Sequence, residues 1–345
     1  MAIQESNLND IEIRNLLEKE YNIKAKNIRP INKGTANIYN IDNKYILKEF
    51  SEDRKKESIL KEIDIINFLS KKDIKVPKYI ETISKQFYII KYNRIIIVQE
   101  YIAGYTIENN TGDYEKTIES ATILGKLLKA FKEYKELDDE RIIEKWFSKD
   151  YIQNGLKKMQ KLKKNLNYNN KFSKKIEKDL DDKIEMSKYI LENFDFSIIN
   201  KMTMQNTHGD YSVQQLIYND EKGTTLIDFE TAKKMPIAWE IIRSYSYIDK
   251  DAKEGIINEY ALEDYFKEVM KYVKLNEYDL KYAKVIYLIQ MLGSIYGYKQ
   301  YNENVENIEI LEFAFFRTNL CRNIFKIKNK SNDLKCIKIQ YNSKV

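Results

Sequence analysis

Two aspartates, Asp210 and Asp228, stand 18 positions apart in settings of opposite character. Asp210 lies in His208-Gly209-Asp210-Tyr211-Ser212-Val213-Gln214-Gln215, a segment too short and polar for a helix interior. Asp228 ends the apolar run Thr224-Thr225-Leu226-Ile227 and precedes Phe229. A loop carboxylate can accept a hydrogen bond from a substrate hydroxyl, orient it, and take its proton as a phosphorus–oxygen bond forms. A carboxylate fixed at a strand end can ligate Mg²⁺ between the β- and γ-phosphates of ATP, because magnesium prefers oxygen ligands and retains waters. The pair therefore predicts transfer of phosphate from ATP to a small-molecule hydroxyl. Aspartate is a weak base, so the main contribution of Asp210 is position and charge; holding reacting groups in place can lower a barrier by roughly 7–11 kcal/mol. Gln215, five residues after Asp210, can offer an amide oxygen to the same metal.

These groups need a cation and a phosphate cradle. Lys48 lies in Tyr45-Ile46-Leu47-Lys48-Glu49-Phe50. Strand alternation sets it on the face opposite Leu47. A buried ammonium needs an anion. Glu57 and Glu62 on the following helix could each supply one, and Glu62 is the preferred partner. The pair would hold Lys48 against the α- and β-phosphates. Gly34, between two strands, lets the backbone approach phosphate and turn sharply, and Thr35 or Asn37 can add a side-chain donor. Gln99-Glu100-Tyr101-Ile102 closes the last strand of this region; the backbones of Glu100 and Ile102 are candidates for reading the adenine edge.

Hydrophobic periodicity supplies the elements that must position these residues. Asn7 to Glu20 reads as an opening helix. Strands are expected at Ile28 to Ile31, Ile38 to Ile41 and Tyr45 to Phe50, with a turn at Asp42-Asn43. A helix follows over Arg54 to Ser70, then a hairpin of Gln86 to Lys91 and Arg94 to Tyr101 turning at Tyr92-Asn93. After Gly104 helical patterns dominate: Tyr114 to Lys132, Asp139 to Lys161, Lys171 to Phe194, Ile237 to Tyr247, Ala261 to Val273, Leu280 to Tyr298 and Ile308 to Ile327. Short apolar runs at Gln215 to Tyr218 and Thr224 to Phe229 interrupt them. The expected class is α+β: a nucleotide-binding N-terminal lobe, residues 1–102, and a mostly helical catalytic and substrate lobe, residues 103–345.

Composition narrows the function classes. A hydrophobic share of 43% is enough for a sizeable core. A net charge of +6, spread over 59 basic and 53 acidic residues, is too small and too dispersed for a nucleic-acid binder. The run Lys157 to Lys175 reads as a solvated helix face. Cys321 and Cys336 alone cannot build a thiolate cluster, and a single histidine argues against a multi-histidine zinc site. The N-terminus lacks the apolar core of a signal peptide and no long apolar run exists, so a cytoplasmic chain without a membrane partner is expected.

The motif residues carry a resemblance. His208-Gly209-Asp210, an amide residue five positions after the aspartate, and Ile227-Asp228-Phe229 resemble the aminoglycoside phosphotransferase and choline kinase superfamily, which shares the protein-kinase-like architecture. Within it the chain leans toward the bacterial homoserine kinase-like and CotS-type spore-coat branches. The resemblance spans roughly residues 28 to 325. It implies a two-lobed fold, a catalytic role for Asp210, metal ligation by Asp228 and Gln215, phosphate contact by Lys48 with Glu62 as partner, a nucleotide loop at Gly34 to Asn37, and a hinge at Glu100 to Ile102. The chain departs from the pattern twice: Gln215 stands for asparagine, and Glu240 for a structural aspartate, with Arg243 placed to pair with Glu240 one turn on. Tyr211, Arg243, Tyr247, Tyr296 and Arg317 are candidates for lining the acceptor. An aminoglycoside acceptor would call for an acidic pocket, and the sequence shows no acidic cluster. The alternative function, motivated by Gln215, is a kinase-fold binding or structural protein with feeble transfer, such as a spore-coat component.

Overall fold

The computed structural model describes residues 5–31, 36–139 and 141–329. By its internal contacts the chain divides into two units, Met1–Thr106 with Gln214–Thr231, and Ile107–Val213 with Ala232–Val345.

The first unit opens with α1 (Asp10–Tyr21), started by a reciprocal cap between Asn9 and Glu12 and stopped at Asn22, whose φ is 55°. Three antiparallel strands follow: β1 (Ile28–Ile31), β2 (Asn37–Ile41) and β3 (Tyr45–Glu49). Then come α2 (Lys56–Leu69) and the hairpin β4 (Ile89–Lys91) and β5 (Arg94–Glu100). The sheet order is β1-β2-β3-β5-β4. Two turns carry consecutive residues at positive φ, Asp42-Asn43 and Tyr92-Asn93. Such left-handed pairs match the twist of the strands they join. Asn, Asp and Tyr there explain why these hairpins were legible. One sheet face packs Ile41, Leu47, Ile96 and Val98 against Ile13, Leu16, Leu17 and Tyr21 of α1.

The second unit contributes α3 (Tyr114–Phe131), α4 (Ile142–Trp146), α5 (Lys149–Lys164), α6 (Ser173–Asn193) and the short strand β6 (Met204–Thr207). The chain then returns to the first unit for β7 (Leu216–Ile217) and β8 (Thr225–Leu226), an antiparallel pair. Back in the second unit, β9 (Lys233–Pro236) pairs with β6, and α7 (Ile237–Ile248), α8 (Glu259–Met270), α9 (Glu277–Leu292), α10 (Tyr298–Glu303) and α11 (Ile308–Asn329) follow. A core of Met159, Ile176, Leu180, Tyr298, Leu311 and Phe315 joins α5, α6, α10 and α11. The architecture is a small antiparallel sheet unit and a larger helical one. No helix among the described residues is long and apolar enough to cross a membrane.

Two helices are shorter than their periodicity suggests. The expected Asp139 to Lys161 helix breaks where the Ser148 hydroxyl accepts from the Tyr151 N–H at 3.0 Å and starts α5 afresh. The expected Leu280 to Tyr298 helix stops at Leu292, and Gly297, at φ 91°, redirects the chain into α10. The β6–β9 pair lacks an alternating apolar pattern and was not foreseen. Polar bonds fix it instead: the Thr207 hydroxyl donates to the Lys233 carbonyl at 2.9 Å across the pair, and Asn206 anchors β6 to the end of α3, donating to the carbonyls of Phe131 and Lys135 at 3.3 and 3.0 Å and accepting from Leu137 N–H at 2.9 Å.

Candidate active site

Lys48 sits on β3 between Ile38 of β2 and Ile97 of β5. Leu47 is sealed against α1, so alternation turns Lys48 to the other face. Glu62 faces it electrostatically from the apolar stripe Ile59, Ile63, Ile66 and Leu69 of α2. Burial raises the Glu62 carboxyl above its ordinary range; Lys48 opposes this, while Asp228 and Glu230 reinforce it. Glu57, the other candidate, is exposed. The buried Tyr79 hydroxyl is pushed far up, by burial first and by Glu62 second. It makes no hydrogen bond of good geometry among the described residues. Arg54 pairs with Glu230, so two cations and three carboxylates of the first unit share one neighbourhood.

Asp228 is exposed and adopts φ 68°. That region is uncommon for residues other than glycine, and aspartate is among the few that enter it. Its carboxylate accepts no hydrogen bond from the described residues. The β7–β8 register aligns Leu216 with Leu226, and Ile227 N–H donates to the Gln215 carbonyl at 2.9 Å. Gln215 and Asp228 therefore stand at one end of this hairpin, Gln215 buried and Asp228 in solvent. An exposed carboxylate with free oxygens suits a hard cation such as Mg²⁺.

The remaining nucleotide candidates distribute unevenly. Gly34 and Thr35 lie outside the described residues. Asn37 opens β2 and its amide donates to Glu49 at 3.0 Å. Glu49 is a buried carboxylate that also accepts from Ser6, Asn7 and Arg94; these partners, distant in sequence, were not readable from a lone acid after Lys48. Glu100 ends β5, and its N–H is committed to the Lys78 carbonyl at 2.8 Å. The Ile102 N–H, two residues on, meets no acceptor among the described residues.

In the second unit, α7 grips the Asp210 loop residue by residue. Glu240, wholly buried, accepts from the N–H groups of His208 and Gly209 at 3.0 and 2.6 Å. Burial pushes its carboxyl up to about 7, against the pull of those two donors and of Arg243. Arg243, one turn on, pairs with the Asp210 carboxylate and donates to the Tyr211 carbonyl at 2.9 Å. The expected Arg243–Glu240 pair is thus replaced: Glu240 finds its donors on the loop backbone, which frees the guanidinium for Asp210. Gly209, at φ 80°, turns the loop so that both N–H groups reach α7. The Asp210 side chain keeps 44% of its surface exposed, so the clamp leaves it open to a ligand. His208 is buried and packs edge-on against Tyr211 at 5.9 Å, as a packing residue of the loop. Tyr211 itself is sealed, its hydroxyl donating to the Ser120 carbonyl at 2.9 Å, and lines nothing.

The chain matches the phosphotransferase enzyme family over residues 27–270. No curated protein matches it. Among solved structures, it resembles an aminoglycoside phosphotransferase from Alicyclobacillus acidocaldarius at 13% identity, covering 95% of this chain and 97% of that one with a TM-score of 0.64. A spectinomycin phosphotransferase solved with ADP and spectinomycin aligns at 15% identity, 95% and 97% coverage and a TM-score of 0.60. A microcompartment-associated aminopropanol kinase aligns at 13% identity, 94% and 100% coverage and a TM-score of 0.60. These neighbours are small-molecule phosphotransferases, and at such identities the likeness is one of fold. The match over residues 27–270 goes further, and the chain belongs to the phosphotransferase enzyme family.

Proposed function

We propose that this chain transfers the γ-phosphoryl group of ATP to the hydroxyl of a small molecule. The observation that carries the reading is the clamp on Asp210: two residues of one helix fix the loop on either side of a carboxylate that stays solvent-accessible. A group so held can orient an acceptor hydroxyl. As the new oxygen–phosphorus bond forms, the bond to the β,γ-bridging oxygen breaks, ADP leaves, and the hydroxyl proton passes to Asp210 and then to water. Lys48, steadied by the charge of Glu62, binds the α- and β-phosphates. Asp228 would hold Mg²⁺, with the Gln215 amide as a further oxygen donor. When bound, that ion neutralises charge on the phosphates.

ATP turnover against a panel of hydroxyl compounds tests the assignment. In Asp210→Asn, kcat is expected to fall by about 100-fold or more, with the melting shift given by ADP and Mg²⁺ retained. Turnover that survives the change would remove Asp210 from its role. In Asp228→Ala, the Mg²⁺-dependent part of the nucleotide melting shift should vanish; a shift equal to that of the parent would exclude Asp228 as the ligand.

A second reading, a kinase-fold binding protein with little transfer, draws support from Gln215, whose longer side chain is buried rather than presented to solvent. It predicts nucleotide-dependent stabilisation without turnover on any acceptor.

A further inference from the structure

The surroundings of Asp210 in the second unit bear on the acceptor. Arg243, paired with Asp210, lies over the Tyr247 ring at 4.6 Å. Tyr247 stacks on Phe313 and leans on Phe316, both at 5.9 Å. Tyr296, 48% exposed, meets Phe313 edge-on at 6.3 Å, making an open aromatic corner. Arg317 lies over Phe313 at 5.7 Å. One continuous chain of contacts thus runs from the reacting carboxylate to a second guanidinium.

The charge at the far end is uncompensated. Arg243 spends its charge on Asp210, but Arg317 meets no carboxylate among the described residues; its one side-chain bond goes to the Gln290 amide oxygen at 2.9 Å. Its Nε is buried without a partner, and its Nη1 has no acceptor among the described residues. Lys183, electrostatically coupled to Arg317, is buried and donates to the carbonyls of Met291 and Ser294 at 3.0 and 2.6 Å; burial first, with Arg317 adding to it, lowers its ammonium to about 8, so it offers Arg317 no compensation. Asp179, which acts electrostatically on Lys183 from the same helix, is taken by Arg322 and Tyr298. A guanidinium so placed repels a polyamine. A planar fork with vacant N–H groups suits a carboxylate, and the exposed ring of Tyr296, at the corner with Phe313, suits a flat ring.

Resting on the phosphotransferase reading, we infer that the acceptor is a ring-bearing hydroxyl compound that carries a carboxylate, its ring against Phe313 and Tyr296 and its anion on Arg317. The class excludes aminoglycosides, whose ammonium groups would face Arg317.

Saturation-transfer NMR titrations on the full chain can test this with three matched probes: 4-(hydroxymethyl)benzoate, the corresponding benzamide and the corresponding benzylamine. The benzoate should bind at least about tenfold more tightly than either partner, the factor that one charge-assisted bond of roughly 1.5 kcal/mol gives. Arg317→Gln should erase its advantage over the benzamide, Arg317→Lys should keep part of it, and Phe313→Ala should weaken all three. Both Arg317 variants should keep the melting shift given by ADP and Mg²⁺, which shows that they fold. Equal or tighter binding of the benzylamine, no binding of the benzoate, or a preference untouched in Arg317→Gln would overturn the inference. Loss of the phosphotransferase reading would look different: no nucleotide shift and no turnover in the parent chain, whichever probe binds.

Discussion

At the level of single residues, Glu240 is the most consequential departure from the family pattern. The longer acid stands where the resemblance implies a structural aspartate, and helix α7 delivers both of its carboxylate oxygens to the loop backbone. The cost is a buried carboxyl that holds its proton up to about pH 7 in the folded chain, against an ordinary value of 4.5. Between those values the folded state binds more protons than the unfolded one. The stabilisation is therefore complete below 4.5 and lost as pH rises through about 7, an effect on the order of 3 kcal/mol. Urea denaturation should show the stability of the parent falling by that order relative to Glu240→Gln from pH 4.5 to above 7. A difference that stays flat with pH would mean that Glu240 is ionised throughout. The residue types at positions 208–210 and 227–229 pointed to the family, because two short motifs at a fixed spacing constrain each other. The partners were harder to read. Nothing in Glu240-Ile241-Ile242-Arg243 says that the acid will take the loop's N–H groups and the base its carboxylate; that division depends on how far α7 lies from the loop, a tertiary quantity.

Helices and strands were legible where one face is apolar and the turn chemistry is local. The β2–β3 and β4–β5 hairpins follow from Asp-Asn and Tyr-Asn pairs that accept left-handed backbone. The helix breaks were not legible, because they depend on packing partners distant in sequence. Gly155 of α5 lies so close to Gly293 that an added Cβ would sit 2.7 Å from the Gly293 Cα. Two helix segments meet backbone to backbone there, and α9 ends where the ring of Tyr151 fills the space beside Gly293. Gly155→Ala, normally favourable inside a helix, should instead destabilise by about 1–3 kcal/mol through overpacking. Thermal melting decides the sign, and a raised melting temperature would show that the contact can relax. The lysines of α5 and α6 follow the opposite logic. Lys157, Lys158, Lys161 and Lys174 are exposed, while Met159, Leu162 and Ile176 between them are buried, so the basic run is the outer face of a packed hairpin.

For the molecule as a whole, the divided first unit matters most. A cut after residue 102, or after Thr106, leaves out the segment Gln214–Thr231, whose Leu216, Tyr218, Leu226 and Phe229 are fully buried. That segment is stitched to the rest of its unit by Leu226 N–H to the Lys75 carbonyl at 2.9 Å, by paired bonds between Tyr105 and Tyr218, and by stacking of their rings at 5.8 Å. A fragment of residues 1–106 should accordingly unfold at lower urea than the same fragment joined through a flexible linker to residues 214–231. Equal midpoints would show the segment to be a passenger. The sequence reading placed a boundary near Gly104 from the change in periodicity and could not see the return, because two strands of two residues each carry too little pattern to announce their allegiance.

The interleaved course of the backbone also bears on how such a protein can be inherited. Exchange of the leading third of the gene by recombination would carry Lys48 and Glu62 across but leave Gln215 and Asp228 with the old scaffold. Under the proposed function, residues that deal with one nucleotide would then come from different ancestors, and the glutamine and its neighbouring hairpin would have to evolve in step with a strand and helix encoded more than a hundred codons upstream.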